Sequence, residues 1–297
     1  MDVHFKILGS SSSGNSALLQ TAGSTILIDA GMSGKKLEQL LKSEGVPVES
    51  LDAVFLTHEH NDHSAGVRGL SKFTRLPFFA NQDTVQAIQP KLQKRPNWKI
   101  FETGKAFSFG PFTIHPFSVP HDAYDPVGFY FEWGKEDLFD PISSLAWVTD
   151  LGYVPALVKE RIRKAKILVI EANHCAKMLE QDTKRPWSLK QRIRGRHGHL
   201  SNDSTFEMLQ SINSMPGISL DGLFSHFSMS DELDKSFAIE QISRFRSLID
   251  EMDKVGLKVR YRHLCNSGGF LDLPEAHFDM VRIGLLPLGI YPSKVCR

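Results

Sequence analysis

The densest group of potential metal ligands in this sequence is a run of six residues with three histidines and one aspartate, His58-Glu59-His60-Asn61-Asp62-His63. Imidazole nitrogens and carboxylate oxygens are the usual protein ligands of zinc and similar ions. His58 and His60 are two residues apart, so on extended chain both side chains point to one side. Asp62 and His63 follow where the chain turns into a helix. One loop can therefore supply two neighbouring ions. The alternative, a solvated turn or a pair of core histidines, suits a lone histidine better than this cluster.

Three further candidate ligands each follow an apolar, strand-like run, namely His121 in SVPHD, Asp150 in WVTD and His226 in LFSHFS. Taken alone, a single residue of this kind is more often structural than a ligand. Two ions need more ligands than one loop supplies, however, and the ends of several strands can meet at one edge of a sheet. We therefore predict that these side chains complete a site for two ions.

The remainder of the chain indicates a layered α/β fold. Its 297 residues are 41% apolar and 23% charged, and a β-rich opening passes into alternating strands and helices. The balance of 35 basic against 34 acidic residues excludes a general polycation that coats nucleic acid or membrane. No apolar run approaches the roughly 18 residues needed to span a bilayer. We expect no signal peptide, and three cysteines without a CxxC pair favour the cytoplasm.

A basic segment precedes a second histidine-rich loop. Residues 183–202 contain no acidic residue, include Trp187, and carry six positive charges, at Lys184, Arg185, Lys190, Arg192, Arg194 and Arg196. The loop HGHLSN, with His199, follows directly. The segment is a candidate phosphate track for nucleic acid, with Lys190, Arg192, Arg194 and Arg196 as substrate-binding residues. The alternative is an ordinary solvated helix face, and the sequence leaves both open.

The motifs THEHNDH, ILIDAG, VPHD and VTDLGY resemble the signature of the metallo-β-lactamase fold. SSSGNS, HDAYDPVGF, PWSLKQRI and HGHLSN resemble one bacterial subfamily, the YycJ (WalJ) proteins, and the resemblance covers residues 1 to about 205. It implies an αββα sandwich with a dinuclear metal site. It also implies a metal-dependent hydrolase related to phosphodiesterases and nucleases, with 5′-to-3′ DNA exonuclease activity.

The resemblance also implies a role for each candidate residue. His58, His60 and His121 would bind one divalent ion, Zn²⁺ or Mn²⁺. Asp62, His63 and His226 would bind the second, with Asp150 bridging the two; Asp62 also counts among the catalytic residues.

Two further roles follow from the same resemblance. Asp29, in ILIDAG, would orient the histidine loop, although a capping aspartate in a turn is an equal alternative. His199 would be the acid that protonates the leaving oxygen, with Glu171 as its carboxylate partner, unless it is a histidine that only packs the loop.

The expected chemistry follows from charge. Two cations about 3.5–4 Å apart lower the pKa of a bridging water, so that a metal-bridging hydroxide can attack phosphorus near neutral pH. We therefore predict a phosphodiesterase that acts on DNA as an exonuclease. One alternative is a hydrolase of a small cyclic or nucleotide phosphodiester. Another is a non-catalytic hybrid protein whose second metal site is impaired.

The hybrid alternative arises because the last third of the chain departs from the hydrolase pattern. From about residue 216 it resembles the later strands of alanine racemase, in which the residues matching His263, Ser267, Arg282 and Gly284 surround pyridoxal phosphate. No VKANAYG-like segment supplies the lysine for that cofactor, so we expect no racemase activity. We expect a hydrolase domain over residues 1–264, atypical from 206 onward, and an appendage over 265–297.

Overall fold

The computed structural model of the protein describes residues 3–135, 142–213, 221–284 and 286–295. The chain divides into two units, Met1–Met208 and Leu209–Arg297. The first unit carries most of the predicted site residues, and the second contains the racemase-like segment.

Six strands form the first sheet, in the same order as in the sequence: β1 (Val3–Gly9), β2 (Ser16–Thr21), β3 (Ser24–Ile28), β4 (Ala53–Phe55), β5 (Pro77–Asn81) and β6 (Asn97–Phe101). The first three strands pair antiparallel, and β3 to β6 are parallel neighbours. Side chains alternate between two buried faces. In β4, for example, Ala53 and Phe55 contribute to one apolar cluster and Val54 to the other. Strands covered on both faces read as continuous apolar runs, as these do.

Five strands form the second sheet, in the order β11-β10-β9-β8-β7, with bounds β7 (Phe107–Phe109), β8 (Phe112–Ser118), β9 (Val127–Trp133), β10 (Ser143–Val148) and β11 (Ile167–Ile170). Only β10 and β11 pair in parallel. The inner faces of the two sheets pack together through aromatic rings. The ring of Phe55 in β4 lies 6.0 Å from that of Phe129 and 5.7 Å from that of Phe131, both in β9. This packing forms the central core.

The helices of this part of the chain are α1 (Gly34–Ser43), α2 (Asn61–Ser64), α3 (Val67–Leu70), α4 (Gln82–Ile88), α5 (Ala156–Ile162), α6 (Ala176–Gln181), α7 (Trp187–Arg194) and α8 (Asn202–Asn213). Ser33 caps α1 by accepting a hydrogen bond from the amide of Lys36 at 3.3 Å. Leu37 and Leu41 of α1 are fully buried against the outer face of the first sheet. Because the inner face of the second sheet is occupied, α5 must cross from β10 to β11 over its outer face. The predicted αββα sandwich is confirmed.

The second unit contains a small parallel sheet, β12 (Gly222–Phe224) and β13 (Tyr261–His263), joined by the long helix α9 (Ser236–Lys254). Helix α10 (Ser267–Asp272) follows. Leu264 and Cys265 are fully buried in one cluster with Leu273 and Ala276. The expected boundary between residues 264 and 265 therefore falls inside a packed core, and the observed division lies between residues 208 and 209. No helix within the described ranges is both long and apolar enough to cross a membrane.

Candidate active site

Polar residues follow directly on the strand ends of both sheets in the first unit. Asp29 comes after β3, the histidine loop after β4, and Asp150 after β10. Asp29 and Asp150 both adopt positive φ, 57° and 54°, a conformation that aspartate tolerates better than most residues. These backbone turns bend the chain out of the strands and toward the site.

Three imidazoles, from His58, His60 and His121, have ligand nitrogens within 4.8 Å of one another. His121 donates from Nδ1 to the carbonyl oxygen of Gly198 at 3.0 Å, which leaves its Nε2 as an acceptor. That Nε2 lies 3.2 Å from His60 Nδ1. The two nitrogens therefore converge on one point, as the imidazole ligands of a shared cation do.

A second group, His58, His63 and Asp150, satisfies the same 4.8 Å limit. His63 is fully buried, and its Nδ1 lies 2.8 Å from Asp29 Oδ2, so Asp29 holds the ring and leaves Nε2 facing the site. His63 Nε2 lies 2.8 Å from Asp150 Oδ2 and 3.7 Å from Asp62 Oδ2. The structure therefore brings Asp62, His63 and Asp150 close together, and their role as ligands of a second ion stays a prediction.

A third group joins the proposed acid to the same centre. His121, Asp150 and His199 have ligand atoms within 4.8 Å. His199 Nδ1 lies 3.0 Å from Glu171 Oε2 and 3.3 Å from Asp150 Oδ1. Glu171 Oε1 also accepts from the amide of Leu151 at 2.7 Å, which fixes the carboxylate. The predicted His199–Glu171 pair is thus formed at the edge of the candidate metal centre.

Burial and charge divide the histidines into two kinds. Burial lowers the pKa of His58 well below its usual value, and the neighbouring His63 lowers it further. Burial also lowers the pKa of His121. Both rings are therefore neutral near pH 7 and can offer a lone pair to a cation. Burial opposes protonation of His63 as well, but Asp29 and Asp150 outweigh it and raise the pKa of His63 well above its usual value.

The pKa values of Asp150 and His199 are also shifted by burial and by neighbouring charges. Burial would raise the pKa of Asp150, but the charge interaction and hydrogen bond with His63, together with smaller contributions from the neighbouring histidines, outweigh burial and hold this pKa well below its usual value. Burial lowers the pKa of His199, but the hydrogen bond and negative charge of Glu171, together with the nearby charges of Asp150 and Asp122, outweigh burial and raise this pKa. A histidine held protonated by a carboxylate has the form needed to donate a proton.

The donor set fits divalent cations. His58 Nδ1 lies 2.9 Å from Thr57 Oγ1, and its other nitrogen, Nε2, is buried without a hydrogen-bond partner among the described residues. A buried polar atom without a partner is costly unless something binds it. Imidazole and carboxylate together suit zinc, manganese or iron, and the candidate ligands supply both: His58, His60, His121, Asp62, His63 and Asp150.

Sequence reasoning missed two residues that support this site. Asn15, in the SSSGNS turn, has its Nδ2 3.0 Å from His63 Nε2 and 3.4 Å from Asp62 Oδ2. Thr57 Oγ1 lies 3.0 Å from both carboxylate oxygens of Asp29. Two features of the sequence pointed to these residues. Thr57 directly precedes the histidine loop, and Asn15 lies in the SSSGNS turn, which is part of the subfamily resemblance.

The basic segment forms α7 and the loop after it, and its charges are not equivalent. Lys190 is buried, and its Nζ donates to the carbonyl oxygen of Glu180 at 2.8 Å. Arg192 is bonded to Asp122, which directly follows the candidate ligand His121. The ammonium of Lys190 is therefore held by a backbone carbonyl, and Arg192 lies at the rim of the site.

The remaining charges of this segment face solvent. Trp187 is 61% exposed and borders a cavity of about 400 Å³ together with Gln191 and Arg194. The guanidinium of Arg196 lies over the ring of Tyr153, 4.6 Å from its centroid. Arg194 and Arg196 are therefore the predicted substrate-binding residues that remain on an open surface.

His226 lies in the second unit and belongs to none of the three ligand groups formed by the described residues. Its Nδ1 lies 3.3 Å from Arg282 Nη2, and the same nitrogen of Arg282 donates to the carbonyl oxygen of Ser225 at 2.6 Å. Burial lowers the pKa of His226, and the adjacent guanidinium lowers it further. Its role as a ligand remains a prediction.

A match to the beta-lactamase superfamily domain covers residues 24–217, more than half of the chain. The chain belongs to this superfamily. Exodeoxyribonuclease WalJ of Streptococcus pneumoniae is 39% identical over 209 residues, which cover 69% of this chain and 75% of that protein. A solved diphosphatase of the PhnP family has the same fold, with a TM-score of 0.52 and 20% identity, over 71% of this chain and 83% of that one. The subfamily resemblance is confirmed, and this superfamily member is a metal-dependent hydrolase.

The second resemblance is confirmed as well. Alanine racemase of Clostridium perfringens is 40% identical to this superfamily member over 100 residues, which are 34% of this chain and only 26% of that enzyme. The match therefore involves a small part of a racemase, attached to a beta-lactamase superfamily domain.

Proposed function

We propose that the protein is a dinuclear metal-dependent phosphodiesterase that degrades DNA from the 5′ end. The observation that carries the proposal is the connection between the three ligand groups. His58 is common to the first two, and Asp150 is common to the second and third. Two ions held by such connected groups would lie next to one another and next to His199. The relative named exodeoxyribonuclease WalJ supports DNA as the substrate.

In this proposal the first ion is held by His58, His60 and His121, and the second by Asp62, His63 and Asp150. Zn²⁺ and Mn²⁺ both suit these ligands. When bound, two such cations lower the pKa of a water and neutralise charge on a phosphate oxygen.

The chain's own side chains perform the remaining steps. His199 donates the proton that the leaving oxygen requires, and Glu171 holds its ring through Nδ1, so that Nε2 is the atom that delivers it. Removing His199 should therefore lower the rate of DNA cleavage, in which the leaving group is a poor one, an alkoxide. It should lower the hydrolysis of a p-nitrophenyl diester much less, because p-nitrophenolate leaves without a proton. A purely structural histidine would lower both equally.

A nuclease assay tests the central claim. Duplexes labelled at the 5′ or the 3′ end are incubated with the protein in Zn²⁺, Mn²⁺ or Mg²⁺, with His60→Ala as the control. We expect stepwise loss of 5′ nucleotides by the unmodified protein and none by the variant. Release from the 3′ end would overturn the direction, and equal activity of His60→Ala would overturn the metal centre.

The exposed arginines distinguish DNA from a small diester as the substrate. Replacing Arg194 and Arg196 by Gln should weaken DNA binding and reduce the slope of log K against log salt by about 0.7–0.9 for each phosphate that the protein no longer neutralises. Turnover of bis(p-nitrophenyl) phosphate should not change. If both substrates respond equally, or neither does, the small cyclic or nucleotide diester becomes the better candidate.

Metal analysis tests the second ion and His226. We expect two ions per chain, and loss of one in His226→Ala if this residue is a ligand. One ion or none in the unmodified protein, without diesterase activity in added Zn²⁺ or Mn²⁺, would favour the non-catalytic hybrid. We also propose a cytoplasmic location, which the unpaired thiols of Cys175 and Cys265 support.

A further inference from the structure

A cavity of about 350 Å³ opens beside the candidate metal centre, and no step proposed above uses it. Its lining includes the candidate ligand His60 together with Glu59, Asn61, Ala87, Lys91 and Tyr124. This volume lies within the range of sites that bind small molecules or parts of larger ones. Because His60 forms one wall, any group held there lies next to the reaction.

The most exposed part of this cavity is an aromatic ring on a well-held turn. Tyr124 is 77% exposed, yet its amide donates to Glu59 Oε1 at 3.1 Å. The next residue, Asp125, accepts from Asn81 Nδ2 at 2.9 Å and from Thr103 Oγ1 at 2.6 Å. The backbone that carries the ring is thus fixed before any ligand arrives, which reduces the entropy lost on binding.

The chemistry around the ring selects the occupant. Lys91 is exposed and supplies a positive charge, and the ring of Tyr124 supplies a flat apolar face. Glu59 contributes by accepting a hydrogen bond from the Tyr124 amide, which fixes the turn that carries the ring. A flat ring attached to a phosphate matches the exposed ring and the positive charge. Nucleobases have this chemistry, and aromatic side chains stack on them with little regard to sequence.

We infer that the cavity binds the nucleobase adjoining the phosphodiester to be cleaved, with Tyr124 stacking on the base and Lys91 pairing with a neighbouring phosphate. This inference rests on the proposed nuclease function and assigns a position within its substrate. Tyr124 and Lys91 bind and position the nucleotide, and neither takes part in the bond changes.

The experiment compares two single-stranded oligonucleotides that differ at the terminal nucleotide, which is either normal or abasic. The value of kcat/KM is measured for the unmodified protein, Tyr124→Ala and Tyr124→Phe. Stacking on one base corresponds to roughly 5- to 150-fold in binding. We expect the unmodified protein and Tyr124→Phe to favour the normal end by about this factor, and Tyr124→Ala to lose the preference.

Two controls make the readout specific. Tyr291→Ala removes a comparably exposed tyrosine of the second unit, 58% exposed, and should keep the full preference. Binding is also measured by anisotropy with an oligonucleotide whose terminal linkage is a methylphosphonate, so that affinity is read without turnover. Lys91→Ala should weaken both oligonucleotides equally, because the phosphate is present in both.

The outcomes separate the two proposals. Equal turnover of normal and abasic ends by the unmodified protein, or a preference that survives in Tyr124→Ala, overturns the inference and leaves the nuclease intact. Hydrolysis of bis(p-nitrophenyl) phosphate without any cleavage of DNA overturns both. The comparison in the unmodified protein requires no variant, so it can overturn the inference even if Tyr124→Ala does not fold.

Discussion

Asp29→Asn tests how the protein sets the orientation of a candidate metal ligand. The carboxylate of Asp29 is fully buried and accepts three kinds of donor. The amide of Thr57 lies 2.8 Å from Oδ1, the Thr57 hydroxyl 3.0 Å from both oxygens, and His63 Nδ1 2.8 Å from Oδ2. An asparagine has the same shape but only one acceptor oxygen.

Either orientation of the new amide places a donor against a donor. If its NH₂ faces His63, the ring must move its proton from Nδ1 to Nε2, the nitrogen that faces Asp150 and would bind the ion. If its NH₂ faces Thr57, the backbone N–H there loses its acceptor. Loss of such an orienting partner typically weakens metal binding about 10- to 100-fold, which is about 1.4–2.7 kcal/mol.

Chelator competition with Zn²⁺ or Mn²⁺ measures this change for each ion. Asp52→Asn is the matched control, because Asp52 is exposed and its Oδ2 accepts only a backbone N–H, from Thr25 at 2.7 Å. We expect weaker binding of the second ion in Asp29→Asn and unchanged binding in Asp52→Asn. Equal affinity and stoichiometry in both variants would refute the argument that Asp29 controls His63.

Three further changes test packing and charge. A Cβ on Gly31 would lie 1.7 Å from a backbone oxygen of the histidine loop. Gly31→Ala should therefore lower the free energy of unfolding by about 1–3 kcal/mol or more and lower Tm. Gly23→Ala, whose Cβ would meet open space, should leave Tm unchanged. Cys265 is fully buried, and burial raises its pKa to about 11, so at pH 8 iodoacetamide should label Cys175 and should label Cys265 only after the protein is unfolded. Peptide mapping that finds equal labelling of the two in the folded protein at pH 8 contradicts this. Lys190→Ala should lower Tm and leave the salt dependence of DNA turnover unchanged, because the ammonium is bonded to a backbone carbonyl; a reduced salt slope would restore Lys190 to the DNA surface.

The connections among the charges of α7 could not be predicted from the sequence. Lys190, Arg192 and Arg194 look alike in a basic run, yet one is buried on a carbonyl, one is bonded to Asp122, and one borders an open cavity. Asp122 lies 70 residues away from Arg192 in the chain. No local pattern specifies which of several similar side chains a distant carboxylate will meet.

The boundary between the two units could not be predicted from local sequence patterns either. The racemase resemblance located the unusual segment, but the boundary at 264/265 did not match the packing. Leu264 and Cys265 bury themselves with residues on both sides of that boundary. A core forms where particular apolar faces pack together. Apolar periodicity shows that an element has such a face but does not show which other face it packs against.

By itself, the sequence determined the fold class, the ligand-rich loop and the identity of most candidate ligands, because metal coordination requires particular side chains at short spacing and strand patterns are local. Only the tertiary structure decided that Asn15 and Thr57 support the loop, that Arg192 meets Asp122, and that Tyr124 borders a cavity beside His60. Those relations depend on separate segments folding against one another, and long-range packing alone determines them.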